Sequence, residues 1–276
     1  MGKSAASKLA KTSVVQAKIK AAAKIVVLPI AFSISLPALL AMGSQGCGGA
    51  RAPLKSLPAL NDGGARSIEL PKGLEDKRAV YLAHLAIAEE QLIEFARTNK
   101  FEKEPRPIER VRVFTSKSDF DKAINVPATN GTDARFKGSV PSTVVGAIVG
   151  DALFVVSEPL YFQTFPGHVE RDYEKLLTHE LAHRYHQDLV DGDADAMGPI
   201  WFFEGFATLA ADQYVRAAVS PDEAREINRA PDDKRGYEKY RGMMRLFQEK
   251  TPMKEMVRRA KSPSSFSSWI DTHLAR

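Results

Sequence analysis

The chain has 276 residues, 44% hydrophobic and 26% charged, ordinary proportions for a globular protein able to bury one sizeable core. Its net charge of +5 originates at the N-terminus: residues 1–46 hold Lys3, Lys8, Lys11, Lys18, Lys20 and Lys24 and no acid, and without those six lysines 33 basic residues (39 less six) face 34 acidic ones. A basic balance of that origin argues against a nucleic-acid partner, and a single cysteine, Cys47, excludes an intramolecular disulfide and a multi-cysteine metal site.

The lysine-rich start leads into an apolar run over residues 25–42 and a small-residue exit, Gly43-Ser44-Gln45-Gly46-Cys47. These are the parts of an export signal. Three outcomes fit it. One resembles a bacterial lipoprotein signal with a lipid on Cys47, although Ser44 and Gln45 replace the usual Leu and small residue. Another is cleavage after Ala41-Met42-Gly43. The third is an uncleaved anchor, marginally long enough to span but interrupted by Pro29 and Pro37. The expectation is an exported protein, a cell-envelope lipoprotein or a secreted one, whose membrane contact runs through the N-terminus or a lipid on Cys47. Residues 1–46 then form a targeting segment, the Gly- and Pro-rich residues 47–73 a linker, and residues 74–276 the folded domain.

Between Glu75 and Lys100, Tyr81, Leu85, Ala88, Leu92 and Phe95 recur at steps of four and three with no Pro or Gly, which predicts a long amphipathic helix. His84 within it reads as a surface or packing histidine. Arg110 to Phe114 reads as a strand with one buried face, and Ser116 can cap a short helix through Phe120 and Ile124. Residues 127–142 form a loop with a turn at Asn130-Gly131. Thr143 to Val156 predicts two apolar strands around Gly150-Asp151, followed by a loop from Pro159 to Gly167. Helical patterns fill the remainder, including Tyr237 to Glu249 and Ser262 to Leu274. Short strands grouped ahead of a run of helices, with one long helix before them, make an α+β fold.

Asp172 to Leu189 carries helix formers without Pro or Gly and contains His179-Glu180-Leu181-Ala182-His183. Four residues apart on a helix, His179 and His183 differ by only about 40° and can reach one ion, leaving Glu180 about 100° round, beside the metal. His186 shares the stripe but lies about 10 Å along the axis from His179, too far for the same ion. A third ligand must come from elsewhere, and Glu204 is the leading candidate. It lies in Trp201-Phe202-Phe203-Glu204-Gly205-Phe206-Ala207, early in a helix expected from Ile200 to Val215 and opened by Pro199.

HELAH at 179–183 with WFFEGFA at 201–207 resembles the gluzincin peptidases, in particular the peptidase MA-like group, over roughly residues 108–217. The resemblance implies a zincin-like domain with a small N-terminal sheet, an active-site helix and a mostly helical C-terminal part. It implies one zinc ion on His179, His183 and Glu204, with Glu180 as catalytic base. Gly205 and Ala207 would allow close helix packing near the metal.

Two departures qualify the resemblance. Thermolysin-like enzymes place an Asp four residues after the ligand Glu to orient a histidine, and here that position is Thr208. Related aminopeptidases carry a G-x-M-E-N run that grips the substrate amine, whereas Gly146 to Gly150 has neither Glu nor Asn. This favours an endopeptidase acting on peptide or protein substrates. In zincins an edge strand commonly pairs with the extended substrate; the Thr143–Val156 strands fit that role or an interior one. Tyr240, ahead of Arg241 in the helix opened by Tyr237, is the candidate oxyanion donor. The alternative to a peptidase is a non-catalytic cell-surface binding or assembly protein on a zincin scaffold.

Overall fold

The computed structural model describes residues 66–125, 140–169, 171–230 and 236–274. The targeting segment, Cys47 and the Asn130-Gly131 turn lie outside them. The described elements are β1 (Ser67–Glu69), α1 (Arg78–Thr98), β2 (Arg110–Phe114), α2 (Lys117–Ile124), β3 (Gly146–Val149), β4 (Ala152–Val156), α3 (Glu158–Thr164), α4 (Asp172–Leu189), α5 (Ile200–Ala210), α6 (Pro221–Arg229), α7 (Tyr237–Gln248), α8 (Met253–Ala260) and α9 (Pro263–Leu274). The fold is α+β, and none of these helices is long and apolar enough to cross a membrane.

The sheet has the order β1-β2-β4-β3, with β3 antiparallel to β4 at one edge and the other pairs parallel. Side chains alternate between the faces of a sheet, so register decides what faces the helices. Ile68, Val111, Leu153 and Ile148 are register partners across all four strands and form one buried row. Burying each such side chain contributes about 1.5–3 kcal/mol. The next row is Val113, Val155 and Gly146, so a side chain is missing on the helix-facing side of the edge strand. The opposite face is closed by α2, whose Phe120 packs 5.7 Å from Phe114. Ser116 caps that helix by accepting from the Asp119 N–H at 3.3 Å.

Helix α4 packs against α1 and α5, and α5 packs in turn against α7. Every residue of α5 from Trp201 to Ala210 is buried, which explains a sequence apolar all round. Trp201 stacks on Phe266 of α9 at 5.6 Å. A Cβ on Gly205 would stand 2.5 Å from Met244 Cγ and 3.0 Å from the Tyr240 carbonyl oxygen, so α7 approaches α5 only because residue 205 has no side chain.

Three expectations need correction. Ser67–Glu69, expected within a linker, pairs as β1; three residues are too short for periodicity to reveal. Pro159 to Gly167 was expected as loop, but Glu158–Thr164 is a helix that tolerates Pro159 in its first turn. Helix α5 stops at Ala210 rather than Val215, for a reason given below.

His84 ties three segments together. Its Nδ1 is 3.0 Å from Glu174 Oε1 on α4, and its Nε2 is 3.7 Å from Glu158 Oε2 on α3. Burial works against the charged ring, but Glu174 and Glu158 outweigh it and raise His84 above its ordinary 6.5. Glu174 likewise falls below its ordinary 4.5, against burial, because His84 is beside it. The raised histidine stabilises the fold fully below pH 6.5 and loses that contribution as pH climbs through its folded value. The depressed carboxylate contributes fully above pH 4.5 and loses its share as pH falls through its folded value. His84→Leu should therefore cost about 1 kcal/mol, most of it between about pH 4.5 and 6.5. Urea unfolding across pH measures this, and a cost identical at about pH 5.5 and 9 would refute the ion-pair account.

Candidate metal centre

Helix α4 places His179 and His183 one turn apart, with ring centroids 4.8 Å apart and planes at 84°. His179 is fully buried, and the His183 side chain is 11% exposed. Their Nε2 atoms stand 3.1 Å from each other, and Glu204 Oε2 from α5 stands 3.3 Å from both. A tetrahedral ion with bonds of about 2.0–2.1 Å separates its ligand atoms by about 3.3–3.4 Å. The triangle of 3.1, 3.3 and 3.3 Å has that size. Glu204 Oε2 is buried and makes no hydrogen bond of normal geometry. Among the described residues, His179, His183 and Glu204 are the group able to hold a metal ion.

Glu180 lies beside this triangle. Its Oε1 is buried without a hydrogen-bond partner, and a Cβ on Gly146 of the edge strand would stand 2.7 Å from that atom. The carboxyl thus occupies the space left by the missing side chain in β3. With no ion present, burial pushes Glu180 up to about 8, with His179 opposing and Glu204 adding to the rise. Glu204 goes the other way, down to about 2, because the histidines outweigh its burial. A cation in the triangle would favour the ionised form of both.

Each histidine has a further ring nitrogen. His179 Nδ1 is 3.0 Å from Gln213 Oε1, a buried contact across 34 residues. His183 Nδ1 is buried and unpartnered. Thr208 is not a histidine partner; its hydroxyl donates to the Gly205 carbonyl at 2.9 Å. Nothing in the spacing of the motifs pointed to Gln213, nine residues beyond Glu204.

The remaining candidates separate clearly. Of the two tyrosines, Tyr237 rather than Tyr240 stands against the centre, 5.5 Å from His179 at 78°. Tyr240, one turn on, packs against Tyr237 at 6.3 Å. Burial, reinforced by Glu204 and Glu180, raises Tyr237 well above 10, so its hydroxyl keeps its proton at neutral pH. His186 faces away, stacked 4.5 Å from Phe206, and burial followed by His183 pushes it down to about 3. His168 is held by the Tyr161 hydroxyl at 2.7 Å. His273 packs on Trp269 at 4.9 Å.

Comparison with family models, curated proteins and solved structures finds no match to the chain.

Proposed function

We propose that the protein is an exported zinc-dependent peptidase of the zincin type, resembling the gluzincins, with peptide or protein substrates. The observation that carries the reading is Glu180, whose buried Oε1 has no hydrogen-bond partner, beside a triangle of ligand atoms and beneath the edge strand. His179, His183 and Glu204 would hold the ion; two imidazoles and a carboxylate form a donor set suited to catalytic zinc. Zinc bound there would supply Lewis-acid polarisation of a carbonyl and bring the pKa of a water towards about 7.

The protein's own groups supply the remainder. Glu180 Oε1 accepts a proton from the attacking water and returns it to the nitrogen of the leaving amine. Tyr237, whose ring stands 5.5 Å from His179, donates its hydroxyl hydrogen bond to the oxygen that gains negative charge, a role for which Tyr240, one turn away, is less well placed. Among the described residues β3 pairs on one side only, with β4, so an extended substrate can pair along its other edge. That pairing would carry the scissile bond past Gly146, where Glu180 stands.

The test is zinc content and hydrolysis of a mixed peptide library by the purified full chain, before and after chelation. Expected are one zinc per chain, cleavage, loss of cleavage with the chelator and its return with zinc. Absence of zinc overturns the whole reading; full zinc with no cleavage leaves the metal site and overturns the peptidase.

Gly146→Ala tests the seat of the base. The new Cβ would fall 2.7 Å from Oε1 and 2.9 Å from Cδ of Glu180, so the carboxyl or the strand must shift. Misplacing a catalytic group by about 1 Å costs about 10²-fold in rate. A fall in kcat of that order with unchanged zinc content is expected, and wild-type kcat would remove Gly146 from the account.

A further inference from the structure

We infer that Gln213 is the positioning residue of the metal centre: its side-chain oxygen fixes His179 so that Nε2 presents a lone pair to the ion. The inference rests on the metal-site reading and adds a residue that no motif contains.

Three observations converge on it. The first is chemical. An amide oxygen only accepts, so its 3.0 Å contact places the imidazole proton on His179 Nδ1. Nε2 is then the bare nitrogen, and Nε2 is the atom standing 3.1 Å from His183 and 3.3 Å from Glu204. His183 has no corresponding partner on Nδ1, so of the two rings only His179 is oriented through its outer nitrogen.

The second is how Gln213 is delivered. Helix α5 ends in a left-handed cap: the Asp212 N–H donates to the Leu209 carbonyl at 3.2 Å, and the Gln213 N–H to the Thr208 carbonyl at 3.0 Å. Asp212 takes the left-handed position at φ 50°, where glycine is usual. This cap explains why the helix stops at Ala210. Helix α5 therefore supplies both the ligand Glu204 and, through its own terminus, the group that orients the ligand opposite it.

The third is that the segment is held in an uncommon shape from outside. Tyr214 is also left-handed at φ 50°, so Gln213 sits between two residues in a region that side chains other than glycine rarely adopt. Neighbouring elements over-determine it. Gln91 of α1 donates to the Ala210 carbonyl at 3.0 Å, and Arg245 of α7 donates to the carbonyls of Val215 and Ala217 at 3.0 and 2.9 Å. Arg241 reaches Asp212 at 3.8 Å. A buried amide at such a point suits a group whose direction matters.

The test compares Gln213→Met, which keeps the length but loses the acceptor, with Gln213→Glu, which can only accept. Zinc affinity is read by competition with a chromogenic chelator, and ligand geometry by the visible spectrum of the cobalt-substituted full chain. Circular dichroism of the metal-free forms reports folding. Losing such an outer partner costs about 10–100-fold in affinity. That loss is expected for the Met variant with an altered cobalt spectrum, and affinity within about threefold of wild type, or tighter, for the Glu variant. Two outcomes overturn the role of Gln213 while leaving the metal site intact: a folded Met variant that binds zinc like wild type, or a Glu variant that loses as much as the Met variant. A wild-type chain that binds no zinc, like a His183→Ala control, overturns the site and this inference together.

Discussion

Glu180→Gln should abolish peptide hydrolysis while leaving zinc in place. The substitution keeps the shape of the side chain beneath Gly146 and removes only the ability to take a proton. Glu180 is not one of the three converging ligand atoms, so the ion should stay at wild-type stoichiometry. A positioned general base contributes about 10²–10⁴-fold, and a fall in kcat of that order is expected. The change also removes a buried ionisable group that burial pushes up to about 8 in the absence of metal. The metal-free variant should therefore be no less stable than the metal-free wild type. Elemental analysis beside single-turnover kinetics decides the matter. Undiminished hydrolysis would sink Glu180 as base, and lost zinc would mean the group is a ligand.

Glu204→Ala acts on the metal itself. Oε2 is the one oxygen in the triangle, 3.3 Å from each imidazole nitrogen, and removing it leaves two nitrogens that can at best hold zinc loosely. The loss should exceed the about 10–100-fold expected for an outer-shell partner, and activity should go with the ion. Thermal unfolding offers a readout independent of activity. A ligand that binds only the folded state stabilises it by about 2.7 kcal/mol at 100 times its Kd. Wild-type Tm should rise with added zinc, and the variant should show no shift over the same concentrations. An equal shift in both proteins would place the zinc elsewhere.

The two predictions differ in how far the sequence alone supports them. The relation of His179, His183 and Glu180 is set by helical geometry within five residues, so the spacing carried it. Periodicity likewise marked α1, two apolar runs around Gly150-Asp151 marked the β3–β4 hairpin, and an unbroken run of helix formers marked α4. The short elements were less legible. β1 has only Ile68 to offer as an apolar signal, and Pro159 looked like a breaker although it suits a first helical turn. Tyr240 was the expected donor, but Tyr237 lies one turn away on the same helix and nothing local in the sequence favours it. The choice followed from Gly205, which lets α7 close on α5 and brings the Tyr237 ring to His179.

By itself the sequence determined what is local: the pair of histidines on one face of a helix, the carboxylate beside them, and a second glutamate in an apolar helix. The tertiary structure decided what depends on distance along the chain. It brought Glu204 to the histidines, stood Glu180 under Gly146 of the edge strand, and turned the end of α5 so that Gln213 meets His179. The physical reason is that helical spacing is dictated by bonded geometry, whereas these three contacts exist only because α4, α5 and the sheet bury their apolar faces against one another.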